Sequence, residues 1–326
     1  MNKRNFEEFM AKNGTEDIFS KVTDFQNYLN NYEDDFEQGL GIQILSPAGP
    51  HAKIKNRKGI EKDTLMLGSN SYLNLTTHPN AIAASEKALK KFGYGMGAVS
   101  LYAGITDLHR ELETLIAQFH HTEDAILFPS GYGTNIGIIS ALCQKGDIII
   151  NDSANHASIF DGCVLSGADI KIYPHNNMKR LEHILSRLSN EQKGRLIITD
   201  GVFSMHGDIA KLDEIVQLAQ KYHARIMVDD AHGIGIVGPT GRGTAEVYGV
   251  EKEIDIKVGM LSKAPGGLGG FCAGKKELIN YLRIYARTYF FSTAMPAPLT
   301  AGVNAGEKVQ RMSGRFKSVA PVKKGR

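Results

Sequence analysis

Lys263 stands in "GMLSKAPGGLGG" (259–270), between an apolar run and a glycine-rich loop. An ε-amine at the end of an apolar strand, followed by glycines that admit another group closely, suits a lysine that attacks a carbonyl and later serves as a base. The plainer alternative is a lysine reaching into water from a strand end. Asp229 and His232 close "RIMVDDAHG" (225–233), a second apolar run. A carboxylate buried there can hold a heteroaromatic nitrogen protonated, because negative charge favours the paired cation. An acidic helix cap beside a structural histidine is the competing reading. His156, in "NDSANHAS" (151–158), is placed to lie flat over a planar ring, although a lone histidine is more often structural. Ser204, in "TDGVFSMHGD" (199–208), adds a hydroxyl.

A fifth stretch, "PSGYGTN" (129–135), brings Ser130, Gly131 and Tyr132 to a strand–helix turn. Unpaired backbone N–H groups and the helix dipole attract an anion there, most naturally a phosphate. "GYGMGAV" (93–99) looks like a dinucleotide fingerprint but follows no predicted strand. Each signal is weak alone. Phosphate cradle, ring-stacking histidine, carboxylate for a ring nitrogen and amine for an aldehyde are together the requirements of pyridoxal 5'-phosphate, whose pyridinium is an electron sink.

The elements that must position these groups are legible as alternation. Apolar runs at 125–130, 147–152, 170–173, 195–201, 225–232 and 255–261 read as strands covered on both faces. Between them, "TDLHRELETLIAQF" (106–119) sets Leu108, Leu112, Leu115, Ile116 and Phe119 on one helical face, with Thr106 or Asp107 as cap. "KLDEIVQLAQKY" (211–222) does the same with Leu212, Ile215, Val216 and Ala219. The pattern predicts an α/β fold with a mostly parallel sheet and helices on both faces. Ligands in such sheets bind beyond the carboxyl ends of the strands, where the polar stretches fall. Residues 1–60 read as a polar, partly helical arm and connector, 61–298 as a large cofactor-binding domain, and 299–326 as a basic tail.

At 326 residues and a formal net charge of +3, the chain gives no reason to expect nucleic acid. No apolar run approaches the ~20 residues needed to span a bilayer, and no signal-peptide pattern opens the sequence. Three scattered cysteines, Cys143, Cys163 and Cys272, predict neither a disulfide framework nor a metal site. The expectation is a reduced cytoplasmic protein.

The blocks "LGSNSYLNLTTHP", "FGYGMGAVSLYAGITDLHRELE", "ILFPSGYGTN", "NHASIFDG", "HNNM", "TDGVFSMHGD", "VDDAHGIGIVGPTGRG", "GMLSKAPGGLGGFCAG" and "FFSTAMPAP" resemble, in order over roughly 40–298, the α-oxoamine synthases. The resemblance implies the type I, aspartate-aminotransferase-like fold, a homodimer with shared active sites, and pyridoxal phosphate held covalently by Lys263, which then deprotonates the substrate's α-carbon. It implies Asp229 on the pyridine nitrogen, His232 and Ser204 near the phenolic oxygen, and His156 stacked on the ring. Ser130, Gly131 and Tyr132 would hold the phosphate, Asn70 would contact substrate, and Ser292 and Thr293 would reach a neighbouring subunit's phosphate. The implied reaction is a condensation, usually decarboxylative, of a small amino acid with an acyl-CoA or acyl-carrier thioester. The leading resemblances are to 8-amino-7-oxononanoate synthase and serine palmitoyltransferase. An aminotransferase or aldolase of the same fold is the alternative, as is an inactive partner subunit.

Three departures stand out. Met260 occupies a position where the family usually has a threonine that donates to the phosphate; Pro265 stiffens the lysine loop. The pattern fades after "STAMPAP", where the family continues with a C-terminal domain of roughly a hundred residues that carries a carboxylate-clamping arginine. That small domain is therefore expected to be missing, with Arg283, Arg287 and Arg311 the available arginines.

Overall fold

The structure, a computed structural model, describes residues 17, 19–31, 41–188 and 194–312. The chain divides into two compact units, Met1–Ser69 and Asn70–Arg326. In the first, helix α1 (Ser20–Asn31) precedes a three-stranded antiparallel sheet of β1 (Gln43–Ile44), β2 (His51–Lys55) and β3 (Glu61–Leu65). The division between the two units falls at 69/70. β3 pairs with β2 along its whole length, from His51↔Leu65 to Lys55↔Glu61, so residues 61–69 belong with the first unit.

The second unit carries the chemistry-bearing residues. It runs α2 (Pro79–Phe92), α3 (Asp107–Phe119), β4 (Asp124–Phe128), α4 (Gly131–Leu142), β5 (Ile148–Asp152), α5 (Ala157–Ser166), β6 (Asp169–Tyr173), α6 (Met178–Ser186), β7 (Arg195–Asp200), α7 (Leu212–Lys221), β8 (Arg225–Asp229), α8 (Thr244–Tyr248), β9 (Ile256–Met260), β10 (Gly270–Gly274), α9 (Lys276–Tyr285), α10 (Arg287–Phe290) and α11 (Ala297–Met312). The strands form one seven-stranded sheet in the order β4-β10-β9-β8-β7-β5-β6. Only β10 among them runs antiparallel to its neighbours, so the carboxyl ends of the other six share one edge.

Successive side chains of a strand point to opposite faces, and the two halves of the core follow that rule. Ile149, Ile198, Met227 and Val258 pack with Ile138, Ile139 and Ile159 of α4 and α5 on one face. Ile148, Ile150, Ile197, Ile226 and Val228 pack with Leu181, Leu185, Leu212 and Ile215 of α6 and α7 on the other. Burying each such side chain contributes about 1.5–3 kcal/mol. At the free edge, β6 is partly exposed and carries the Asp169–Lys171 ion pair, a charged edge that discourages further pairing.

Helix α3 starts at Thr106, the N-cap, through a capping box shared with His109. Its buried Glu113 meets Arg283 of α9 through two hydrogen bonds, 2.9 and 3.1 Å, so the helix is tied to the far end of the chain. Residues 297–312 continue as α11, which buries Ala301 and Val303, and 313–326 lie outside the described residues. Glu113 also holds Arg110 at 2.6 Å, so Arg283→Ala removes one of its two cations without stranding the carboxylate. Unfolding free energy, measured by urea denaturation at pH 7, should fall by about 1.5–3 kcal/mol for the lost charged hydrogen bonds. An unchanged value would show that Arg110 alone satisfies Glu113.

Candidate active site

Five strand ends at the carboxyl edge deliver side chains to one cavity of about 140 Å³, lined by Gly131, Tyr132, His156, Ser158, Asp200, Val202, Ser204, Asp229, Ala231, His232, Met260, Ser262 and Lys263. A larger cavity, about 690 Å³, opens at the opposite, amino edge of the sheet among Leu142, Asp147, Arg195, Arg225 and Lys257. The predicted chemistry lies in the smaller one.

Asp229, the last residue of β8, is 4% exposed. It accepts from Asn135 Nδ2 (2.6 Å) and from the Ala231 N–H (3.1 Å). On balance burial pushes its pKa up, and these two donors and the Lys263 charge offset part of that rise. Asp230 points elsewhere, with Oδ2 accepting from Thr244 Oγ1 at 2.9 Å and from the Thr244 N–H at the start of α8. The two readings of "DDAH" thus divide between neighbours: Asp230 serves a helix start and Asp229 faces the cavity.

Asp200 closes β7 as the register partner of Asp229, so two carboxyls emerge side by side. It accepts from the His156 N–H at 3.1 Å, and its buried Oδ1 has no partner among the described residues. Burial, and then the charge on Asp229, push its pKa up to about 9. The better-hydrogen-bonded Asp229 keeps the charge and Asp200 the proton. An orphaned oxygen beside a buried carboxylate fits a ring N–H entering the cavity.

His232 is neutral, its pKa pushed down to about 4 by burial and by the charges of Lys263 and His156. Its Nδ1 lies 2.6 Å from Tyr72 Oη, and that hydroxyl is 3.3 Å from Asn70 Oδ1. Asn70 itself is exposed and reaches the cavity only through Tyr72. Lys263 sits in the loop after β9, half-buried, where its carbonyl accepts from the Gly266 N–H at 2.9 Å. Gly266 has φ +76°, and a Cβ there would come within 2.6 Å of the Thr76 nitrogen, so the loop needs its glycine.

At the phosphate end, Ser130 is the N-cap of α4, with Oγ accepting from the Gly133 N–H at 3.0 Å. Gly131 and Tyr132 follow as the first helical residues, whose N–H groups have no intrahelical acceptor. The sulfur of Met260 packs so closely on Gly131 that a Cβ there would lie 2.3 Å from it. The Tyr132 hydroxyl bonds Asp161, and its ring meets His156 edge-on at 5.9 Å. Ser204 lies on the 201–209 loop, anchored below by His175 between Asp152 (3.1 Å) and Asp208 (2.9 Å).

Ser130, Asn70, Ser292 and Thr293 do not line the cavity; Thr293 is exposed and bridges Val99. Sequence reasoning missed Asp200, Asn135, Ser158 and Tyr72. Of the arginines, Arg283 is committed to Glu113, Arg287 lies over the Phe291 ring, and the Arg311 side chain is outside the described residues. Among the described residues, no three or more acids, histidines or cysteines are grouped to hold a metal, and no helix is long and apolar enough to cross a membrane.

Residues 62–321 match the family described as aminotransferase class I and II. The chain is 47% identical over 263 residues to 8-amino-7-oxononanoate synthase of Thermoanaerobacter pseudethanolicus, covering 80% of this chain and 65% of that protein. It is 41% identical over 293 residues to 4-hydroxy-2,2'-bipyrrole-5-methanol synthase PigH of Serratia sp., covering 89% and 44%. The chain therefore spans just under two-thirds, or less, of these relatives' length. Among solved structures it is similar to SPT with PLP internal aldimine (TM-score 0.84, 35% identity, 91% of this chain and 74% of that one). It is likewise similar to the Sphingomonas wittichii serine palmitoyltransferase (TM-score 0.81, 37% identity, 90% and 73%). A mostly parallel sheet with this edge cavity defines a type I, aspartate-aminotransferase-like fold. The chain belongs to the aminotransferase class I and II family and, within it, to the α-oxoamine synthases.

The raised pKa of Asp200 sets a pH dependence. Folded protein keeps a proton that the unfolded chain releases above about pH 4, so stability falls as pH rises from there toward about 9. Asp200→Asn should remove its share of that slope and leave the share of Asp230, which burial pushes up to about 7. Thermal unfolding of cofactor-free protein should show the variant gaining on wild type as pH rises from about 5 to about 8. A variant profile parallel to wild type would contradict a proton held on Asp200.

Proposed function

We propose that the chain is the catalytic part of a pyridoxal-phosphate-dependent acyltransferase that condenses a small amino acid with an acyl thioester. The observation that carries this reading is the meeting of Lys263, Asp229, His156, His232 and the Gly131 turn in one cavity. The cofactor supplies an electron sink for the pair left on the substrate's α-carbon.

The chain's own residues supply the rest. The amine of Lys263 would hold the cofactor through its aldehyde and is placed to take a proton from the substrate α-carbon. Asp229 keeps the pyridine nitrogen protonated; a buried carboxylate fixed by two donors does so without reorganising. His232, neutral and braced by Tyr72, serves the phenolic oxygen together with Ser204. His156 covers one face of the ring. The free N–H groups at the first turn of α4 take the phosphate. Met260 gives that phosphate no donor and narrows the space beside Gly131.

The partners proposed are an amino acid, an acyl-CoA or acyl-carrier thioester, and a second copy of the chain. A soluble, cytoplasmic setting suits such a reaction.

Adding pyridoxal phosphate to wild-type protein should generate a visible absorbance band, and borohydride reduction should leave the added mass on the Lys263 peptide. Lys263→Ala should show neither; mass on another lysine would sink the assignment. Met260→Thr restores a hydroxyl donor and should tighten cofactor binding by roughly tenfold, about 1–2 kcal/mol for one hydrogen bond. Glycine, alanine and serine, added one at a time, should shift the band only for the amino acid the site accepts.

A further inference from the structure

Along the cavity wall, a chain of buried hydrogen bonds joins the carboxylate of Asp229 to the imidazole of His156. Asn135, fully buried on α4, places Nδ2 2.6 Å from Asp229 Oδ2 and 2.9 Å from Ser158 Oγ. Ser158, fully buried on α5, places the same Oγ 2.8 Å from His156 Nδ1. The backbone N–H of Ser158 also points to that nitrogen, at 3.3 Å, because His156 is the N-cap of α5.

Every donor in this chain has one consistent assignment. A carboxylate only accepts, so Asn135 must turn its amino group toward Asp229. That group's second hydrogen then goes to Ser158 Oγ, and the hydroxyl hydrogen is left for His156 Nδ1. A backbone N–H can only donate, so Nδ1 is an acceptor on independent grounds. With Nδ1 accepting, the ring's hydrogen lies on Nε2.

We propose that Asn135 and Ser158 are positioning residues that couple the ionised carboxylate of Asp229 to a single, Nε2–H tautomer of His156. The coupling fixes the ring that covers the cofactor and the group that faces the cofactor's nitrogen through one chain of bonds, neither being set alone. Its relevance to catalysis rests on the cofactor reading above; the hydrogen-bond chain itself does not.

The test is made on ¹⁵N-labelled protein without cofactor, by multiple-bond proton–nitrogen spectra, with the His156 signals assigned through His156→Gln. Wild type should show Nδ1 unprotonated and Nε2 protonated. Ser158→Ala, which leaves Nδ1 only the backbone donor, should move its signal further from that of a protonated nitrogen, as an acceptor that has lost one hydrogen bond, and Ser158→Thr should restore it. Asp229→Asn should move the same signal, although no direct hydrogen bond joins the two residues. A wild-type ring with its hydrogen on Nδ1 overturns the proposal without recourse to any variant, and so does a His156 spectrum indifferent to Asp229→Asn. Cofactor affinity gives a second reading: the dissociation constant of pyridoxal phosphate should rise about tenfold in Ser158→Ala and return in Ser158→Thr, and an unchanged constant counts against the coupling. Failure of wild type to bind the cofactor would instead defeat the functional reading and leave the spectra to stand.

Discussion

Two carboxyls buried side by side are expensive, and the active edge of this protein is organised around that cost. Asp200 and Asp229 end neighbouring parallel strands in register, so their side chains emerge on the same face. Ionised groups withdrawn from water lose several kcal/mol of solvation each unless donors replace it. Asp229 is given two donors, from Asn135 and Ala231; Asp200 is given one, and keeps an oxygen without a partner. The asymmetry separates their roles. One carboxyl is held as an anion and the other as an acid, which leaves a cavity with a fixed negative charge at its floor. Lys263 and the neutral His232 stand at its walls.

The sheet makes this possible because its topology brings every strand end that matters to one edge, while β10, running backwards, contributes none there. Alternation along β8 then divides the labour at its end. Asp229 faces the cavity, and Asp230 turns to the opposite side and secures the start of α8. Loops complete the arrangement by being braced rather than long. His175 spans two aspartates beneath the 201–209 loop, and its ring packs edge-on against Phe203 at 4.3 Å. The serine at that loop's tip is thereby positioned from below by an ion-pair cluster that touches nothing in the cavity.

The strands around the cavity were legible in the sequence because both of their faces are covered, which makes Ile148–Ile150 or Ile226–Val228 apolar without interruption. β10 was not, since "GFCAG" is short and glycine-flanked and looks like the end of the lysine loop. β2 and β3 were missed for the opposite reason: "HAKIK" and "EKDTL" expose most of their residues and read as linker. In the site, Lys263, Asp229, His156 and His232 are visible because a charged or imidazole side chain at the end of an apolar run is conspicuous. Asp200 lies at an equally good position, but attention fell on Ser204 four residues later. Asn135 and Ser158 carry no signal in one dimension, since their meaning lies in which helix face meets which strand end. Arg283 shows the same limit. Nothing in one dimension gives Arg283 a role, because its partner, the buried Glu113, lies 170 residues away.

That commitment of Arg283 bears on what the cavity can decide. Among the described residues that line it, Lys263 is the sole lysine or arginine, and its amine is spoken for by the aldehyde in the proposed reaction. The walls are thus equipped to bind and polarise a cofactor and offer no second cation to recognise a free carboxylate. Relatives with three different names, an 8-amino-7-oxononanoate synthase, a 4-hydroxy-2,2'-bipyrrole-5-methanol synthase and a serine palmitoyltransferase, are similar to this chain in sequence or fold. A cavity whose contacts are exhausted on the common element of their chemistry would look alike in all of them. In the proposed reaction, selection among amino acids and acyl groups would fall to groups outside this lining, and the exposed Asn70–Tyr72 corner, which meets His232 through a single hydroxyl, is one such group.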